Sequence, residues 1–124
     1  MIISRYMVHD FQPGDFLVFQ LESGFAVVRV LAVEERNGEA IWHLAGYSDL
    51  FPDVDLAEGA INDHRRLSIA EPHMALTNRA FESTQVAKIG HSPIGDDELS
   101  AYREWTSTGG EVSDRSVRLM LGLR

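Results

Sequence analysis

Residues 12–48, QPGDFLVFQLESGFAVVRVLAVEERNGEAIWHLAGYS, leave this chain few ways to fold. Two dense apolar runs meet at Glu22-Ser23-Gly24, and the second meets a third across Asn37-Gly38, the pattern of an antiparallel β-meander. The spacing predicts strands over 16–21, 25–34 and 39–48. Gly24 is expected to supply the positive φ of a three-residue hairpin loop, and Asn37-Gly38 to form a two-residue type I′ turn. Those turns would set Leu21 opposite Phe25, Phe19 opposite Val27 and Leu17 opposite Arg29. Across the second hairpin they would set Glu34 opposite Ile41, Ala32 opposite His43, Val30 opposite Ala45 and Val28 opposite Tyr47.

Alternation then sorts the side chains onto two faces. The expected core face carries Leu17, Phe19, Leu21, Phe25, Val27, Leu31, Val33, Trp42 and Leu44, interrupted by Arg29 beside Gly46. The other carries Phe16, Val18, Val28, Val30, Ala32, Ile41, Ala45 and Tyr47 together with Gln20, Glu34 and His43. It is too apolar to be bare and too polar for an ordinary core, so later chain must cover it or a partner must use it.

Past Asp49 the composition turns polar, and residues 49–66 read as a long acidic excursion with one helical turn near Val54 to Glu58. Three short runs, 67–70, 74–77 and 85–90, are candidate strands. Asp96-Asp97-Glu98 place an N-cap and negative charge at a helix start, Leu99, Tyr102 and Trp105 recur at three-residue spacing, and Gly109-Gly110 end the segment. A helix is expected over 96–107. A second one, or a strand, would run from Ser113 through Val117, Met120 and Leu121, with Arg118 and Arg124 toward its end. The expected architecture is α+β in one domain over 1–124, β-rich to residue 91 and helical from 95. Its antiparallel meander would extend to a small curled sheet or SH3-like barrel, with one or two C-terminal helices packed on it.

With 124 residues and 44% hydrophobic content the chain can bury a core of its own. The opening, MIISRYMVHDFQPGD, is interrupted by Arg5, His9 and Asp10 before any apolar run reaches signal-peptide length, and no run approaches a membrane span. A cytoplasmic protein without a membrane role is expected. Cysteine is absent, which removes disulfides, thiolate metal sites and a cysteine nucleophile. The formal net charge of -8, from 19 acidic against 11 basic residues, repels a phosphate backbone, and no basic stripe offsets it. Nucleic acid is therefore an unsuitable partner, whereas a basic protein suits the charge.

Nothing in the chain spells a known catalytic motif. There is no G-x-S-x-G elbow, P-loop or G-x-G-x-x-G, and Gly109-Gly110 follows a helix instead of leading into one. His9, His43, His64, His73 and His91 lack HxH, HxxxH or HExxH spacing, so no metal site and no cofactor is expected. Asp53 to Gly59 resembles a calcium loop only superficially: Ala57, Glu58 and His64 stand where an EF-hand needs an oxygen ligand, a glycine and a bidentate glutamate. His43 shares a predicted face with Glu34 and Tyr47, a set able to do acid/base work, or simply a satisfied histidine beneath a helix. Arg29, in the middle of an apolar strand, must be paired. Either a carboxylate such as Asp15 or one from the C-terminal segment clamps it, or it binds an anion at the end of a barrel. Asp49, Asp53, Asp55, Glu58 and Asp63 form a solvated loop or a contact surface for cations of a partner protein.

The order PGD, FLVFQL, a glycine turn, then GFAVVRVL resembles the opening of small bacterial immunity proteins of polymorphic toxin systems, in particular the immunity protein 26 family. The resemblance spans Pro13 to Tyr47. It implies a β-rich domain that neutralises a cognate toxin by direct binding, and it assigns no binding residue here. Three functions stand as expectations: a non-enzymatic protein-binding module, led by the acidic set; a small-ligand or anion-binding barrel using Arg29, His43, Tyr47 and Glu34; and an enzyme with His43 and Glu34 as its acid/base pair. The missing motifs lean away from the enzyme without deciding the matter.

Overall fold

The computed structural model describes residues 10–122; the opening nine residues, with Arg5 and His9, and the last two, with Arg124, lie outside the described residues. The meander forms as β1 (Asp15–Leu21), β2 (Gly24–Arg36) and β3 (Glu39–Tyr47). It continues into β4 (Ile69–Thr77), and β5 (Ala87–His91) returns to pair with β1. The result is an open, curled antiparallel sheet in the order β4-β3-β2-β1-β5, so the barrel alternative does not close. The expected run 74–77 and the end of the run 67–70 belong to the single strand β4, which begins at Ile69.

The first hairpin differs from expectation by one residue, and the consequence is large. Gly24 pairs with Leu21, so only Glu22 and Ser23 form the turn, and Gly24 is the first residue of β2 instead of the last of a loop. A contact from outside the hairpin explains the change: the Phe25 and Phe51 backbones exchange hydrogen bonds of 2.7 and 2.9 Å. With φ of +147°, Gly24 lies against Phe51, where a Cβ would meet its carbonyl oxygen at 2.8 Å. The pairs become Phe19–Ala26, Leu17–Val28 and Phe16–Arg29. A one-residue slip exchanges the faces of a strand, so Ala26, Val28 and Val30 join the core of Leu17, Phe19, Leu21, Trp42 and Leu44. Val27, expected there, packs on the opposite face with Phe16, Val18 and Tyr47, as does Phe25. Arg29 crosses with them, and Leu31 lies beside Arg29 and Tyr47.

The second hairpin follows expectation at its turn, with Asn37 at φ 52° and Gly38 at φ 80°, and Glu34–Ile41 and Ala32–His43 are paired. A bulge at Leu31 then shifts the ladder, giving Val30–Leu44, Arg29–Ala45 and Val28–Gly46. Gly46 therefore makes room on the core face and not for Arg29. A Cβ there would meet a Leu121 methyl at 2.3 Å. Val33 pairs with Trp42 but is exposed at the strand's end.

Both faces are covered by later chain. On the second, the excursion is more ordered than expected. Its helix α1 (Val54–Ala60) and the following 3-10 turns over Ile61–Arg66 bury Ala57 and Ile61 against Phe16, Val18 and Val27. On the first face lie α2 (Asn78–Glu82), which was not anticipated and is capped by the Thr77 hydroxyl, and α4 (Val117–Leu121), capped by Ser116. Ser113, the expected cap, instead bridges to the outer edge of β4. The expected helix over 96–107 begins as a 3-10 turn, Asp96–Leu99, and becomes α3 (Ser100–Thr108), ended by Gly109 at φ 67°. Its Tyr102 and Trp105 lie over the His43 end of the second face.

Trp42 joins the layers of the first face. It stacks on Phe81 with ring centres 4.2 Å apart, meets Phe11 edge-on, and donates from Nε1 to Asn78 Oδ1 at 2.9 Å. Trp42→Ala is expected to destabilise the fold by about 3–5 kcal/mol through lost burial and an unfilled cavity. A loss below about 1 kcal/mol in urea melts would mean that this contact does not hold α2 to the sheet.

Candidate functional site

Two polar clusters occupy the second face, and the predicted set Arg29, Glu34, His43 and Tyr47 is divided between them. His43 and Tyr47 point the same way but stand four residues apart on β3, about 13 Å along the strand. Tyr47 lies with Arg29 and Glu34 with His43.

Arg29 is fully buried, paired across the ladder with Phe16, whose ring centre is 4.6 Å from the guanidinium carbon. Its Nη1 donates to Glu98 Oε2 and lies 3.0 Å from His64 Nε2, while Nη2 donates to the carbonyls of Ser92 at 2.7 Å and Pro93 at 3.1 Å. The carboxylate thus comes from the C-terminal segment, one of the two sources considered. Asp15 is buried elsewhere, accepting from the Gln12 amide, His91 and Lys88. Burial alone would raise its pKa, but those donors outweigh it and hold the carboxyl below its ordinary value. Burial draws Arg29 down and pushes Tyr47 up, each opposed by the other. Glu98 also accepts from the Gly95 amide at 3.0 Å, so one carboxylate both closes the turn before α3 and neutralises Arg29. His64 Nε2 lies between the Arg29 guanidinium, which only donates, and Glu98 Oε2 at 3.3 Å, which only accepts, so its tautomer decides which of the two it serves. Burial, then the charges of Arg29 and Arg65, depress its pKa and favour the neutral imidazole. Arg29 is an anchor: Glu98, His64 and two carbonyls engage its terminal nitrogens, and an anion would have to displace one of them.

The second cluster crosses three neighbouring strands. His43 Nε2 meets Glu34 Oε1, and His43 Nδ1 lies 2.9 Å from His73 Nε2. The imidazole planes are 16° apart with centres separated by 5.1 Å, an edge-to-edge arrangement with the hydrogen bond in the plane of the rings. A carboxylate only accepts, so the network assigns a proton to His43 Nε2, an acceptor role to His43 Nδ1, and a proton to His73 Nε2. Burial lowers the pKa of His43 against the opposing pull of Glu34; burial and then the adjacent His43 bring His73 down to about 4. Tyr102 and Trp105 cover the His43 ring at 4.6 and 4.8 Å, and the Arg36 guanidinium lies 5.5 Å from the Trp105 ring centre. His43 itself is fully buried, and both ends of the line, Glu34 and His73, are partly exposed. The arrangement can hold α3 on the sheet, and it can pass a proton between His73 and Glu34.

The acidic set also divides. Asp49 accepts from the Ser68 amide at 2.6 Å, Asp53 caps α1 through the Leu56 amide at 2.8 Å, and Asp63 pairs with Arg66 at 3.1 Å. Asp55 and Glu58 have no hydrogen bond or ion pair among the described residues. They line a polar cleft of about 590 Å³ between α1 and β5, with Ile61, Asn62, His91 and Ser92. Among the described residues no group of three or more histidine, aspartate or glutamate side chains is placed to hold a metal ion, and no helix is long and apolar enough to cross a membrane. Comparison with protein-family models, with curated proteins and with solved structures gives no match.

His64, His73, Glu98, Tyr102 and Trp105 complete these clusters, and reasoning from the sequence assigned them no site role. The three-residue spacing of Tyr102 and Trp105 was the one available signal, since an aromatic helix face needs something to cover. His73 becomes informative only once β4 is known to place Ala75 beside His43.

Removing one member of a buried ion pair leaves the other uncompensated, whereas replacing the charge by an apolar side chain is often tolerated. Glu98→Ala is therefore expected to destabilise by about 3–5 kcal/mol and Arg29→Met by distinctly less. Equal losses in denaturant melts would mean that burial and not the ion pair dominates at this position. Acid provides a second test. An unfolded histidine takes up its proton near pH 6.5, while folded His73 resists it until about pH 4, and His43 and His64 shift the same way. The unfolded state thus binds more protons between those values, so stability is full above about pH 6.5 and falls by up to about 1.4 kcal/mol per pH unit for each histidine below it. His73→Gln should flatten the slope. A urea midpoint unchanged from pH 7 to 5 would contradict it.

Proposed function

We infer that this protein is a non-enzymatic binding module that captures a basic protein partner through the cleft between α1 and β5. The observation that supports the reading is the state of Asp55 and Glu58: two carboxylates at one cleft, unpaired among the described residues of a chain of net charge -8. Other carboxylates of the acidic set cap a helix, tie a turn or pair with arginine, so these two are the ones left to meet a cation from outside. A lysine or arginine side chain fits a polar cleft of this kind, and excess negative charge speeds encounter with a basic surface. The resemblance at Pro13 to Tyr47 suggests the class of partner, a toxin neutralised by its immunity protein in the bacterial cytoplasm.

A second reading rests on the Glu34–His43–His73 line. A histidine held by a carboxylate is suited to general acid/base chemistry. His43 has no exposed surface, so a substrate would have to meet the line at one of its partly exposed ends, Glu34 or His73.

The binding reading is tested by capturing partners from the native host at low salt, identifying them, and measuring affinity by calorimetry. Asp55→Asn with Glu58→Gln is expected to weaken binding about tenfold, and raising salt to ~0.5 M to do the same to the wild type. Affinity indifferent to both would overturn the acidic-cleft mechanism. Hydrolytic turnover by the purified protein that disappears with His43→Ala or His73→Gln would install the acid/base reading in its place.

A further inference from the structure

A second cleft, of about 500 Å³, lies at the other end of β1, and three separate features of it lack a partner among the described residues. The first is backbone. The β1–β5 ladder ends at Val18–Ala87, while β1 continues through Phe19, Gln20 and Leu21 with β2 on one side only. That edge therefore presents peptide groups that no strand among the described residues receives. The second is the Thr84 hydroxyl, buried and without a hydrogen-bond partner although the residue lines the cleft. Buried hydroxyls are nearly always paired. The third is Arg118 on α4, exposed and without ion pair or hydrogen bond, and among the described residues the only charged side chain lining the cleft.

We propose that this cleft binds the C-terminal end of an extended peptide, which adds a short strand to the free edge of β1 and places its terminal carboxylate on Arg118. Each part of the occupant answers one of the features. A strand edge selects for peptide backbone, because it offers alternating N–H and C=O groups at the ladder spacing. An arginine with no internal partner selects for a carboxylate, which it can bind through two parallel hydrogen bonds. The Thr84 hydroxyl has no accessible surface of its own, so it becomes a donor beside them only by rotating about χ1 into the cleft. Alternate side chains of the added strand would meet Phe25 and Val54 on one face of the sheet and Val86 on the other, residues that are themselves only partly buried. The proposal does not depend on the acidic cleft, which has the opposite charge and lies toward the other end of β5.

A library of hexapeptides with random final residues and free carboxyl ends, selected in parallel on the wild type and on Arg118→Gln, provides the test. Enriched peptides should bind the wild type saturably and lose about tenfold or more as C-terminal amides or on Arg118→Gln. In ¹⁵N spectra they should shift the amides of Gln20, Leu21 and Gln85. Thr84→Val should weaken binding while leaving the unfolding midpoint unchanged or higher, since it removes an unpaired buried hydroxyl; a purely structural threonine would not move the affinity. No enrichment over Arg118→Gln would overturn the proposal, as would equal binding of acid and amide. So would concentration-dependent self-association that occludes the edge. Asp55→Asn with Glu58→Gln should leave this binding intact, so failure at one cleft is distinguishable from failure at the other.

Discussion

A guanidinium buried between two layers organises the second face of this sheet. Arg29 projects from the middle of β2, and its polar contacts lie far along the chain: His64 after α1, the carbonyls of Ser92 and Pro93 after β5, and Glu98 before α3. Each of those segments lacks a long strand or helix of its own, and each ends on the same cation. A buried charge is tolerated only when surrounded in this way, so the requirement works in both directions. The sheet needs the segments to neutralise Arg29, and the segments take their positions from its fixed fork of donors. The 3-10 turn that holds Glu98 runs directly into α3, and where α3 lies determines that Tyr102 and Trp105 cover His43 at the middle of the Glu34–His43–His73 line.

That Arg29 is buried and paired was legible from its place in an apolar strand; the face it occupies was not. The difference comes down to Gly24. Hairpin rules assign a glycine after Glu-Ser to the loop, because its positive φ is most often used there. Here the positive φ serves a strand instead, since Phe51 approaches so closely that no side chain fits. Phe51 lies 26 residues from its partner Phe25, beyond the reach of local pattern. The second hairpin depends on nothing distant, and Asn37-Gly38 formed its turn as local chemistry dictates. Even so, the bulge at Leu31 shifted the pairs beyond it, and alternation alone does not announce a bulge.

The functional residues divide on the same principle. Glu34 and His43 meet because the second hairpin register brings them near each other, and that register was readable. His73, Glu98 and His64 join through β4 and through segments that depend on tertiary docking, so no spacing connects them to β2. The acidic excursion was recognisable as charge and as one helical turn near Val54 to Glu58, where α1 forms, but the packing of that helix and of the 3-10 turns after it onto the sheet was not. Asp53 follows Pro52 and precedes an apolar-periodic stretch, the signature of an N-cap, and such caps leave fewer free carboxylates than composition implies.

The outer edges of the sheet are treated unequally, and this bears on how the protein avoids associating with itself. Along β4, Ser113 gives its amide to the Ala75 carbonyl at 2.7 Å and its carbonyl to the Thr77 amide at 3.0 Å, so a short piece of the C-terminal segment occupies the edge. β5 is only five residues long and carries Lys88, an arrangement that discourages a second sheet from stacking on. The segment after Gly110 is thus a cover as well as a connection. A chain ending before it would leave the β4 edge around Met74 and Leu76 open to pairing with another chain, a route to aggregation that this segment closes in the intact protein.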